Sequence, residues 1–198
     1  MHKILLVFFF SLVFNLAFSQ VFFTRTGHVY VKSQNNIKNI EADNFQIIST
    51  INKTNGEVRF EGLLKSFEFK LGALDRVFNS DRINVNKYPK FRFEGTISGL
   101  DRVDPNRIGS YDVEVNGTLY LWDEKRVTSA TGVINTDGNG GFSANSDFIM
   151  RIEEQSMIKL NKLIDEKLPS AVNLSTDSFG VDRDIQISLN ASYKLRNW

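Results

Sequence analysis

Glu153 and Glu154 stand side by side, and paired carboxylates are ordinary tools of acid–base hydrolysis. Neighbours on a strand point to opposite faces, so this pair does not converge on one substrate atom. The histidines are His2 and His28. His2 falls in an N-terminal leader, which leaves His28 without an imidazole partner for a metal or for a nucleophile relay. It sits on the polar parity of its segment and reads as a rim or surface residue. Cysteine is absent, so disulfides, thiolate zinc and a thiol nucleophile are excluded. Asp137-Gly138-Asn139-Gly140-Gly141 has the look of a calcium loop but lacks a bidentate Glu at EF-hand spacing. It reads as a hairpin turn. Asp75, Arg76, Asp81 and Arg82 form a charged cluster. Two readings stay open there: solvated loop residues, or a mouth at which Arg76 or Arg82 holds a phosphate or carboxylate head group. With 24 basic and 23 acidic residues, the net charge is +1, which excludes nucleic-acid binding by bulk charge. No cofactor or metal follows from these residues. What the chain has in excess is phenylalanine, 17 in all.

The elements that must position these residues begin after a leader. Residues 1–3 carry Lys3, and residues 4–14 are an apolar run broken only by Ser11, shorter than the roughly 20 residues that span a bilayer. Ala17 and Ser19 place small residues before Gln20. This predicts a Sec signal peptide over 1–19, cleaved after Ser19, and a single domain over 20–198 in the periplasm or otherwise exported. From there the dominant pattern is period two. Phe45, Ile47 and Ile51 share parity, and Asn55-Gly56 predicts a type I′-like hairpin before Val58 and Phe60. Phe67 alternates with Phe69, and Phe91 and Phe93 with Ile97. Val113, Val115, Gly117, Leu119 and Leu121 mark a long strand, with Asp123-Glu124-Lys125 as its charged turn. Segments 127–134, 142–152 and 185–195 complete the set. The spacing predicts helix weakly over 71–78 and more strongly over 156–168. Eight or nine strands with the helices of parallel crossovers mostly missing make an antiparallel sheet, and strands this long favour closure into a barrel. The fold class is all-β with minor α: an antiparallel barrel of about 8 strands with one or two short helices.

Several blocks, in order, carry a resemblance. Gly27-x-Val29 and Glu41-Ala42-x-Asn44 come first. Thr54-Asn55-Gly56-x-Val58-x-Phe60, Lys65-Ser66-Phe67-Glu68-Phe69 and Phe78-Asn79 follow. The most specific part is Lys87-Tyr88-Pro89-Lys90-Phe91-x-Phe93-x-Gly95-Thr96-Ile97 with Val113-x-Val115-x-Gly117-x-Leu119 after it. Over about residues 24–195 the chain resembles the YceI-like polyisoprenoid-binding proteins, in the divergent form common in Bacteroidetes. The resemblance implies a lipocalin-like barrel that holds a long isoprenoid or related lipid inside. Two departures stand out. Leu121-Trp122-Asp123-Glu124-Lys125 replaces the family's Gly-x-Thr turn, and Asp75-Arg76-Val77-Phe78-Asn79 replaces its Arg-Asp-x-His-Leu block.

These readings combine into a non-enzymatic carrier or store for a polyisoprenoid, quinone-type or fatty-acid-like lipid, with no nucleic-acid partner. The interior candidates are Phe67, Phe69, Phe91, Phe93, Val115, Leu119, Phe142, Phe148, Ile187 and Leu189. Phenylalanines at these positions either line a lipid tunnel or fill a barrel core. Gly62, Gly95 and Gly117 fit strand bends or space for a ligand, bends first. Transient membrane contact and a homodimer stay open. The alternative is an adhesion or assembly module whose barrel is filled by its own side chains.

Overall fold

The computed structural model describes residues 20–33, 40–72, 75, 87–154 and 184–196. The leader, Arg76, Arg82 and the helix expected over 156–168 lie outside the described residues, as does most of 71–78, within which Gly72 and Asp75 are helical. The strands are β1 (Val21–Ser33), β2 (Ile40–Asn52), β3 (Glu57–Leu63), β4 (Glu68–Phe69), β5 (Lys90–Ser98), β6 (Ile108–Leu121), β7 (Glu124–Asp137), β8 (Phe142–Arg151) and β9 (Asp184–Leu195). All described pairings are antiparallel, in the order β1-β9-β8-β7-β6-β5-β3-β2, and β2 returns to β1. That closes an eight-stranded barrel. The short β4 continues the β3 edge along Ala42 and Asp43 of β2.

Alternation dictates which face is inside. On β5, Phe91, Phe93 and Ile97 are buried while Arg92 and Thr96 are exposed. The opposite register would bury Arg92 and expose two phenylalanines. The strict alternation expected of β2 is broken. Asn44 and Ile47 are both buried, and Phe45 between them is 54% exposed. β1 carries a matching slip at Arg25–Thr26, between buried Thr24 and Gly27. These are β-bulges, each held by an inward polar side chain. The Asn44 Oδ1 accepts from Gln46 N–H at 2.9 Å, and the Thr24 Oγ1 accepts from Thr26 N–H at 3.3 Å. Phe45 therefore stacks outside on His28, ring centroids 4.4 Å apart, and His28 Nε2 meets Asp43 Oδ1 at 2.7 Å.

Two expected turns differ. Residues 53–56 form a four-residue loop rather than a two-residue type I′ turn, with positive φ only at Gly56. A Cβ on Gly56 would lie 2.7 Å from the Ile97 carbonyl oxygen, so the position requires glycine. The β6–β7 turn is Trp122-Asp123, not Asp123-Glu124-Lys125, because Leu121 already pairs with Glu124. Asp137–Gly141 is a hairpin turn, in which Asp137 Oδ1 accepts from Asn139 N–H at 2.9 Å. That bond holds the Asp137 carboxyl below its ordinary value. Glu153 and Glu154 lie past the end of β8 and are exposed.

Candidate ligand-binding site

The barrel interior is layered. At one end Phe142 packs between Phe22 and Tyr193, at 4.8 and 5.2 Å. Toward the other end Phe91 meets Phe67 at 5.6 Å and Phe60 at 6.4 Å. Between these aromatic layers lies a cavity of about 80 Å³. Phe60 and Phe93, stacked at 5.1 Å, form one wall. Phe148 and Leu189 form another, and Tyr193 lies among the residues that line the space.

Of the interior candidates, Phe93, Val115, Leu119, Phe148 and Leu189 line this cavity. Phe67, Phe91, Phe142 and Ile187 are buried in the core away from it, and Phe69 is a half-buried β4 residue packed on that core. Sequence reasoning left Phe60 and Tyr193 out of the candidates, and it also missed the small residues. Thr128, Ala130 and Gly132 of β7, with Ala144 and Ser146 of β8, face the space. Their signal was legible: inward parity on two successive strands without a large side chain.

The glycines correct a second expectation. A Cβ on Gly117 would sit 2.5 Å from the Phe93 ring and 2.4 Å from the Glu94 carbonyl oxygen. On Gly95 it would lie 2.8 Å from the same ring, and on Gly62 it would meet the Phe91 ring at 2.6 Å. The missing side chains leave room for the protein's own phenylalanines rather than for a ligand.

The one strongly perturbed group at the cavity among the described residues is Tyr193. Its hydroxyl donates to Ser49 Oγ at 2.8 Å, and Ser49 Oγ donates to the Arg59 carbonyl at 2.8 Å. Burial pushes the Tyr193 hydroxyl up to about 12, opposed only by the bond to Ser49. It is a neutral anchor at neutral pH, not an acid. Among the described residues no group of three His, Asp or Glu side chains is placed to hold a metal.

β7 and β8 pair only over 132–136 and 142–146. Toward the β6–β7 hairpin, β7 continues with β6 and β8 with β9. Arg126, on the inward parity of β7, crosses this fork and donates to the Arg151 carbonyl oxygen. An outer groove of about 590 Å³, edged by Arg102, Asp112, Glu114 and Asp147, shares Gly132 and Ser146 with the inner cavity.

No protein-family model matches the chain, and no curated protein matches it in sequence. Solved structures match closely in fold. A polyisoprenoid-binding domain from Saccharophagus degradans, implicated in plant cell wall breakdown, superposes with a TM-score of 0.73 at 11% identity, covering 90% of this chain and 99% of that one. BcnA from Burkholderia cenocepacia gives 0.58 at 13% identity, covering 84% and 95%. The YceI protein of Campylobacter jejuni gives 0.52 at 13% identity, covering 83% and 90%. The fold is that of the YceI-like barrels.

Proposed function

We propose that this protein is an exported, non-enzymatic carrier or store that holds the chain of a long apolar lipid, a polyisoprenoid or similar molecule, in its barrel. The observation that carries this reading is the apolar cavity between Phe60, Phe93, Leu119, Phe148 and Leu189 at the centre of a closed barrel. The polyisoprenoid-binding neighbour supports the ligand class, and the leader over 1–19 supports export. Each methylene moved from water to such a site contributes about 0.8 kcal/mol, so a few isoprene units give useful affinity without any polar contact.

A specific observation favours the second reading. The cavity's 80 Å³ falls short of the roughly 300–1,000 Å³ of small-molecule pockets. A barrel filled by its own side chains would serve adhesion or assembly. The carrier reading therefore requires the interior to widen. Phe60, Phe148 and Leu189 are half-buried lining residues, and they are the ones that must turn. The test is uptake. Protein recovered from the exported fraction begins at Gln20 and takes up an apolar fluorescent probe that a long prenol displaces. Uncut protein in the membrane pellet contradicts the export half, and absence of uptake contradicts the carrier half.

A further inference from the structure

The β6–β7 hairpin departs from the family pattern and holds two costly features on one residue. Trp122 has φ of 55°, a left-handed backbone that a bulky side chain rarely adopts. Its indole packs on the core, and its Nε1–H is sealed from solvent with no acceptor among the described residues. A buried donor left unpaired and a strained backbone both lower stability, and such outliers concentrate at ligand sites.

The placement fits that inference. Leu119 and Thr128 line the cavity at this end of the barrel. Trp122 is three residues past Leu119, roughly 10 Å along the strand direction. Arg126 is the next inward position beyond Thr128, its side chain 14% exposed. Its guanidinium is already matched by Glu124 Oε2, at 2.6 Å from Nη2 and 3.2 Å from Nε. Among the described residues the hairpin end thus offers one uncommitted N–H donor and a guanidinium whose charge is neutralised.

We propose that this hairpin is the polar-end subsite of the barrel, in which the Trp122 Nε1–H donates to a neutral oxygen of the bound lipid, a hydroxyl, ester or ketone. The inference rests on the carrier reading above and deepens it. The chain lies in the central cavity, and the oxygen-bearing end faces the β6–β7 turn. An anionic head gains nothing from Arg126, because Glu124 holds that charge.

The experiment compares three probes of equal chain length, geranylgeraniol, its parent hydrocarbon and geranylgeranyl phosphate, on the wild type and on Trp122→Phe. The wild type prefers the alcohol to the hydrocarbon by about fivefold to tenfold, the worth of one hydrogen bond. Trp122→Phe erases that preference. An alcohol preference that survives in the variant overturns the inference, and so does tighter binding of the phosphate than of the alcohol. A wild type that binds none of the three fails at the carrier reading itself. A second measurement does not depend on the folding of Trp122→Phe. Trp198→Phe leaves Trp122 as the sole tryptophan. Its emission shifts to the red on binding the alcohol and not the hydrocarbon; equal responses to both overturn the inference.

Discussion

Phe93 carries three duties at once: it stacks on Phe60, covers the Gly95–Gly117 pair and lines the cavity. Phe93→Asp puts an unpaired carboxylate among those contacts and costs roughly 3–5 kcal/mol or unfolds the domain. Phe93→Leu keeps the apolar character, costs about 1–2 kcal/mol and changes which lipids bind. Arg92 is the control. It points outward, with its guanidinium 4.6 Å from the Tyr120 ring centroid and its Nε 3.4 Å from Glu94. Arg92→Ser costs about 0.5–1 kcal/mol and leaves binding intact. Urea denaturation and probe binding on the three variants check this; loss of binding in Arg92→Ser with normal binding in Phe93→Asp contradicts it. Tyr193 supplies a pH signature. Its folded value, about 12, lies above the unfolded value of about 10, so its stabilisation is complete below pH 10 and is lost as pH climbs through 12. Two pH units correspond to about 3 kcal/mol. At neutral pH Tyr193→Phe costs about 1 kcal/mol for the bond to Ser49. The stability difference between wild type and variant therefore shrinks and reverses between about pH 9 and about pH 12. A constant difference in urea denaturation across that range contradicts it.

At the scale of the element, the paired bulges on β1 and β2 decide where side chains point. Period two reads the strands from sequence, since the alternation of Phe91, Arg92 and Phe93 has one sensible register. It does not reveal a bulge, because one inserted residue looks like a lapse in the pattern. The local signal was chemical: Asn44 and Thr24 stand on inward parity, and each has a side-chain oxygen able to take the N–H two residues on. Asn44 is fully buried and also donates Nδ2–H to the Leu63 carbonyl at 2.9 Å. Asn44→Ala leaves a buried donor and acceptor without these partners and costs about 2–4 kcal/mol. Phe45→Ser, one residue on and outside the barrel, costs far less. Equal costs by urea denaturation contradict the bulge assignment. The Trp122-Asp123 turn was missed for a similar reason, since a tryptophan with positive φ defies the preferences from which turns are read.

Across the whole molecule, a barrel was legible because most long segments alternate and the helices that parallel crossovers need are mostly missing from the sequence. Half of the site was legible too. Parity states which residues point inward, but strand stagger sets which of them share a layer, and one strand's sequence does not encode it. Phe91 and Phe93 are equivalent by parity, yet only Phe93 reaches the cavity. Ala130, Gly132 and Ala144 matter because they are small, and attention to phenylalanine passed over them. Ala130 provides the most direct test of the central claim, that a lipid chain occupies this interior. Ala130→Leu fills the cavity from an inward position while leaving the outer surface unchanged. Wild type and Ala130→Leu are purified in parallel from the exported fraction, and their organic extracts are examined by mass spectrometry. The account predicts a long-chain lipid in the wild-type extract and at least a tenfold lower load in the folded variant, about 1.4 kcal/mol of lost binding. An empty wild-type extract, or the same load on both proteins, contradicts it.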